Sequence, residues 1–261
     1  MSTPPPPYGY RRPPRARNPF EPHDLMFRHF QQAHPHTGIF WLGLWTLGSL
    51  ATGYLASLAA TMLIVLGGVP DDGVADMLFR SYYALYMAME IGFLWLFAAW
   101  LAPQGLAHAV FDLRPVRWVI ETGYGLVLFA IGMIFSVTAV DVLLPLLPIT
   151  PSAPAELFSH GGLIGAVLVT ITVVVFAPVV EELVMRGWLL PMLVARMGGW
   201  VVPLIVTSLA FGLLHFAIGI ETMIYTTVLG FAAGMARRMT GRLWAPIVVH
   251  FANNVFASLP F

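Results

Sequence analysis

The sequence predicts an all-α polytopic membrane protein, a bundle of about seven to eight transmembrane helices. Three observations predict it. The 261 residues are 58% hydrophobic and only 10% charged, and mean hydropathy is +0.79, values that belong to membrane bundles rather than soluble domains. Several nearly uncharged stretches reach the roughly 20 helical residues that a hydrocarbon core requires. Proline and glycine clusters separate those stretches, as loops do.

Taken in order, residues 1–37 form a basic, proline-rich tail with five arginines and no apolar segment. Such a composition cannot bury a core and reads as a disordered tail rather than a signal peptide. Its Pro5-Pro6-Pro7-Tyr8 matches a PPxY ligand, a pattern that this composition produces readily by itself. Residues 38–160 form the front membrane helices, with predicted crossings at Gly38 to Leu66, Tyr82 to Leu101 and Trp118 to Leu144. The loop from Pro145 to Pro154 divides them from residues 161–261, which hold every candidate chemical residue. Predicted crossings there are Gly161 to Val180, Val201 to Gly219, Thr222 to Ala236 and Leu243 to Leu259. Gly187 to Met197 is too short to span comfortably and is expected to be interfacial or re-entrant.

All thirteen basic residues are arginines. Short cytoplasmic loops collect positive charge, so the tail, Arg114 and Arg117, Arg186 and Arg196, and Arg237, Arg238 and Arg242 are placed inside, a count that holds only if Gly187 to Met197 does not span; if it spans, the Arg237 cluster faces outward. The Asp71, Asp72, Asp76 loop then falls outside, and only Arg80 dissents. Cysteine is absent, so neither a disulfide nor a cysteine metal site is possible. No internal repeat is evident, which weakens a transporter reading. Gly230 and Gly234 form a GxxxG that would let a neighbouring helix approach closely.

The chemistry concentrates in the rear part. Glu181, Glu182 and Arg186 form an EExxxR motif at the end of an apolar run, and two of the three acids after position 160 are adjacent here. An ionised side chain at the bilayer centre costs about 2.5 to 3.5 kcal/mol even on insertion scales, so the pair is a functional signal. Helical spacing makes Glu182 and Arg186 an i, i+4 ion pair. It turns Glu181 about 100° away, leaving it as the candidate base. Pro178 removes a backbone donor and is expected to free backbone groups near Glu181. The plain alternative is two interfacial glutamates that end a helix beside an arginine.

Phe211 and His215 stand at i, i+4, and so do His250 and Asn254, with Asn253 a competing partner at i+3. Each of these polar residues is costly to bury unpartnered, and convergence of all of them on one cavity is the economical explanation. Together with EExxxR these spacings resemble the CPBP family, the CAAX proteases and bacteriocin-processing enzymes (Abi, or type II CAAX prenyl endopeptidase-like), whose motifs are EExxxR, FxxxH and HxxxN. The resemblance covers Gly161 to Ser258. It implies an intramembrane endopeptidase of glutamate type without a metal cofactor, acting on a membrane protein or peptide in the lipid bilayer and not on nucleic acid. It also implies an integral protein of the bacterial inner membrane, with its N-terminus cytoplasmic by the arginine count. Under that resemblance Glu181 and His215 would activate a water, His250 and Asn254 would stabilise the oxyanion, and Glu182, Arg186 and Phe211 would support the site. Zinc held by Glu181, His215 and His250 is the competing chemistry. A non-catalytic scaffold or immunity protein using the same cavity is the competing function.

Overall fold

The computed structural model describes residues 71–104, 107–113, 115, 117–146, 162–197, 199–216 and 219–258, together with scattered positions between 40 and 67. The tail and most of the first predicted crossing lie outside the described residues, as does most of the Pro145 to Pro154 loop. The described residues are helical and contain no strand, so the chain is an all-α membrane protein.

Helix α1 runs Asp71–Leu101, and a 3₁₀ turn, Ala102–Gln104, leads to the one-turn α2, Ala107–Val110. Helix α3, Trp118–Leu143, follows. Next comes α4, a continuous helical run over Gly162–Met197. It is succeeded by α5, Val201–Leu214, α6, Ile220–Thr240, and α7, Trp244–Ala257.

Among the described residues, three stretches are long and apolar enough to cross a membrane: Asp76–Leu101, Trp118–Leu146 and Gly162–Met197. They coincide with three of the predicted crossings. Their outward residues, such as Val127, Ile134 and Phe135 on α3 and Leu163 and Ile164 on α4, are exposed and apolar. Hydrocarbon suits such a surface, and water does not.

Two boundaries differ from expectation. Gly187 to Met197 is no separate interfacial piece. It continues α4, and Leu183 through Met192 are all buried among other helices. Glu181 is therefore mid-helix, about 28 Å from its start at 1.5 Å per residue, rather than at its end. Helix α5 in turn stops at Leu214, short of Gly219. At 14 residues it rises about 21 Å and cannot cross a 30 Å core alone.

Helices α3, α6 and α7 pack together, and α5 packs on α6. The GxxxG of α6 acts as expected: a Cβ on Gly230 would lie 3.1 Å from the Ser208 backbone, and one on Gly234 would overlap Leu204. Absence of these side chains lets α5 lie close against α6. Helix α6 ends at Gly241, whose φ of 75° is the left-handed geometry that glycine adopts without strain. The turn is clamped by Arg242 Nη1 donating to Asp112 Oδ2 at 2.6 Å. Trp244 Nε1 donates to Thr122 Oγ1 at 2.8 Å, fastening α7 to α3.

Candidate active site

Helix α4 departs from α geometry twice, at Thr170–Phe176 and Leu183–Leu189, where the turns widen to π-helix. Between them lies one α-helical segment, Ala177–Glu182, which carries both glutamates. Such bulges are rare and concentrate at functional sites.

Proline explains where they leave their loose ends. In the first π turn the Ala177 N–H bonds five residues back, to Thr172 O. The next bond in that register would join residue 178 to Val173 O, but Pro178 has no N–H. Asn254 Nδ2, from α7, donates to Val173 O instead, at 2.8 Å. The second turn repeats this logic. Leu190 N–H bonds to Met185 O, Pro191 has no hydrogen for Arg186 O, and Arg237 Nε from α6 donates there at 3.3 Å. A buried carbonyl left unpaired costs about 1 to 3 kcal/mol, so each side chain both satisfies α4 and locks another helix against it.

The Glu182 and Arg186 side chains are both 0% exposed, and Arg186 Nη1 donates to Glu182 Oε1 at 2.9 Å. The expected ion pair is present. Arg186 Nη2 also donates to Gly230 O at 2.7 Å, and its guanidinium lies 4.8 Å from the Phe211 ring centroid. A Cβ at Gly230 would come within 3.1 Å of Arg186 Nη2 and 3.4 Å of Phe211. Gly230 thus makes room for the arginine as well as for α5.

Glu182 has a second partner that sequence spacing does not reveal. His250 Nδ1 lies 3.1 Å from Glu182 Oε1. A carboxylate already accepting from an arginine takes a hydrogen bond from Nδ1–H, which assigns the proton to Nδ1 and turns Nε2 toward Glu181. His215 is set in the same way. It follows the last residue of α5, where helix carbonyls lack partners, and its Nδ1 lies 2.9 Å from Phe211 O. A carbonyl can only accept, so Nδ1 again holds the proton. The early end of α5 is what allows this.

The two Nε2 atoms converge on a single oxygen. Glu181 Oε2 is 4.0 Å from His215 Nε2 and 3.9 Å from His250 Nε2, and it is buried without a hydrogen bond. Phe211 packs edge-on against both imidazoles, with ring centroids 4.9 Å from His215 and 5.5 Å from His250. One cluster therefore unites Glu181, Glu182, Arg186, Phe211, His215 and His250. Asn254 reaches α4 at Val173 O, eight residues before Glu181, and its Oδ1 accepts from Asn253 Nδ2 at 3.1 Å. The interfacial alternative for the two glutamates does not describe this interior cluster.

No group of three or more potential ligands arranged to hold a metal ion occurs among the described residues. Nitrogen and oxygen ligands of tetrahedral zinc, at about 2.0 to 2.1 Å from the metal, stand about 3.4 Å apart. The Glu181 to imidazole separations are wider than that. Zinc ligation by Glu181, His215 and His250 would require the three side chains to draw together.

An α-helical membrane protein with a carboxylate and two oriented imidazoles enclosed in its bundle is the class that fold and site define. Residues 163–256 match the family described as type II CAAX prenyl endopeptidase Rce1-like. Over this segment the chain is similar to a family of CAAX-protease-like membrane endopeptidases. No curated protein and no solved structure matches the chain.

Proposed function

We propose that the protein is an intramembrane endopeptidase of glutamate type, hydrolysing a peptide bond in a membrane-associated protein or peptide. The single observation that carries this reading is the convergence of His215 Nε2 and His250 Nε2 on Glu181 Oε2, at 4.0 and 3.9 Å. These separations suit a water oxygen at about 2.8 Å from each group, bridging carboxylate and imidazole.

In this mechanism Glu181 takes a proton from the water as its oxygen attacks the scissile carbonyl, with the His215 Nε2 lone pair orienting the other hydrogen. Charge then develops on the carbonyl oxygen. The Nδ2 hydrogen of Asn254 not used by Val173 donates to that oxygen, and His250, held by Glu182 at Nδ1, does so whenever its Nε2 also carries a proton. Donors fixed in a water-poor cavity are worth about 3 kcal/mol each at such a position. Glu181 finally returns its proton to the leaving amine. Glu182, Arg186 and Phe211 hold the two imidazoles in place, and no metal takes part in these steps.

Residues 161–261 form the catalytic core in this reading, and residues 38–160 the front membrane helices. The arginine distribution supports an orientation with the 1–37 tail in the cytoplasm, and the reading places the protein in a bacterial plasma membrane. The decisive experiment compares the termini of membrane proteins, by mass spectrometry, in cells carrying wild type or Glu181→Gln. New termini present only with wild type establish the reaction and its substrate. Termini unchanged by Glu181→Gln overturn the mechanism and leave the cavity a binding site in a non-catalytic scaffold. Cleavage that survives a strong chelator removes the zinc alternative.

A further inference from the structure

Helix α7 carries two adjacent carboxamides one turn beyond His250, and sequence spacing sets them in competition for one role. The structure makes them partners instead. Asn254 Nδ2 donates to Val173 O at 2.8 Å, and Asn253 Nδ2 donates to Asn254 Oδ1 at 3.1 Å. The direction of this chain follows from Pro178. A carbonyl can only accept, and Val173 O lacks its helix donor because proline has no N–H. Asn254 must therefore present nitrogen to α4, which turns its oxygen toward Asn253, and that oxygen requires a donor in return. Asn253 supplies it from a half-buried position. Its neighbours Phe251, Val255 and Phe256 are exposed, and hydrocarbon around them offers no hydrogen bond in its place. His250 does not compete for either amide, since its Nδ1 is 3.1 Å from Glu182 Oε1 and its Nε2 faces Glu181 at 3.9 Å.

A carboxamide held at both ends has a fixed plane. Asn254 has two Nδ2 hydrogens, and with one given to Val173 O the direction of the other is set by that plane. We infer that Asn253 is a positioning residue, which acts through Asn254 by keeping the second Nδ2 hydrogen directed at the carbonyl oxygen that gains charge. This rests on the proteolytic reading proposed above and on the place of Asn254 in it. An oxyanion donor contributes because it is aimed before charge develops and needs no reorganisation at that moment. Freed at its oxygen, the Asn254 carboxamide would keep one bond, about which a broad sp³–sp² torsion lets it swing. The donor would then be present but not aimed. Losing such a donor outright costs about 10²- to 10³-fold in kcat, so losing only its aim is expected to cost about tenfold or more.

The test uses the full chain in proteoliposomes and a quenched-fluorescent peptide spanning the cleavage site that the comparison of termini identifies. Asn253→Leu keeps the volume and removes the donor, whereas Asn253→Gln keeps a carboxamide donor and changes the length. Positioning and packing therefore predict opposite orders. Asn253→Leu should lower kcat about tenfold or more with KM within about threefold of wild type, and Asn253→Gln should regain most of that loss. In an Asn254→Ala background Asn253→Leu should change kcat by less than about twofold, because the group it acts through is gone. Losses that multiply in the double variant would overturn the inference, as would an Asn253→Gln protein more impaired than Asn253→Leu. A rise in KM with kcat unchanged would also overturn it and make Asn253 a substrate contact. Asn253→Ala serves if Asn253→Leu does not fold, with the same loss and the same non-additivity expected.

Unfolding midpoints in detergent, for wild type, the two single variants and the double variant, provide an arm without turnover. Asn253→Leu should lower the midpoint of wild type and leave that of Asn254→Ala nearly unchanged, since both substitutions break the same bond. Additive midpoints overturn the hydrogen-bonded pair, and the positioning role with it. Coupled midpoints together with no new termini from wild type mean that the proteolytic reading has failed. Coupled midpoints in an active wild type whose kcat survives Asn253→Leu overturn this inference alone and leave the pair a structural link.

Discussion

Glu182 Oε1 is the acceptor for two helices at once, with Arg186 at 2.9 Å and His250 at 3.1 Å. Truncating Arg186 would leave a buried carboxylate without its cation, which costs about 3 to 5 kcal/mol. Arg186→Ala is therefore expected to lower the thermal unfolding midpoint in detergent sharply, together with the yield of folded protein. Glu182→Gln removes the acceptor charge while keeping shape, and should lower kcat by releasing the His250 ring even in the fraction that folds. Glu181→Gln should behave oppositely. Its Oε2 has no hydrogen bond to lose, so stability should change little while cleavage falls about 10²- to 10⁴-fold, the usual contribution of a general base. A Glu181→Gln protein as unstable as Arg186→Ala would contradict this division between working and supporting carboxylates. At Gly230 even one methyl meets Arg186, Ser208 and Phe211. Gly230→Ala should cost about 1 to 3 kcal/mol by overpacking, read as a lower unfolding midpoint.

Individual helices owe their positions to the two prolines of α4. Restoring a donor at position 178 allows Val173 O to be satisfied within the helix, making the Asn254 bond of 2.8 Å redundant. Asn254→Ala is expected to cost about 1 to 3 kcal/mol in the native sequence and distinctly less beside Pro178→Ala. A double-mutant cycle of unfolding midpoints checks this, and strict additivity would show that the two positions are not coupled through that carbonyl. The sequence points to half of this arrangement. Pro178 is expected to free backbone near Glu181; the carbonyl it leaves without a helix donor is Val173 O, eight residues before Glu181. Its partner was hidden, because nothing in the local pattern ties a carboxamide on α7 to a carbonyl 81 residues earlier. The end of α5 was hidden for a related reason. Apolar residues continue beyond Leu214, and hydropathy cannot distinguish a helix that stops in the bundle from one that traverses it.

Across the whole molecule, the arginine count gives an expected orientation with the N-terminus inside, which thiol labelling tests directly because the chain has no cysteine. Ser2→Cys should react with a membrane-impermeant thiol reagent only when the cytoplasmic face is open, and Asp72→Cys from the outer face of intact cells. The reverse pattern would invert the topology. Fold class, three crossings, and the motif residues that gather at the centre are all legible in the sequence, since ionisable groups in apolar runs announce themselves by their cost. The packing of α1 on α4 is not. Phe97 meets Trp188 edge-on with ring centroids 5.6 Å apart, and no motif in either apolar run announces that contact. By itself the sequence determined that the chain forms apolar helices and which polar residues those helices must shelter, because both follow from local composition and spacing. Tertiary structure alone decided the partners: two imidazoles on one carboxylate oxygen, and Glu182 shared between Arg186 and His250. Hydrogen bonds and charge contacts between helices depend on register and rotation, which packing settles after each helix has formed.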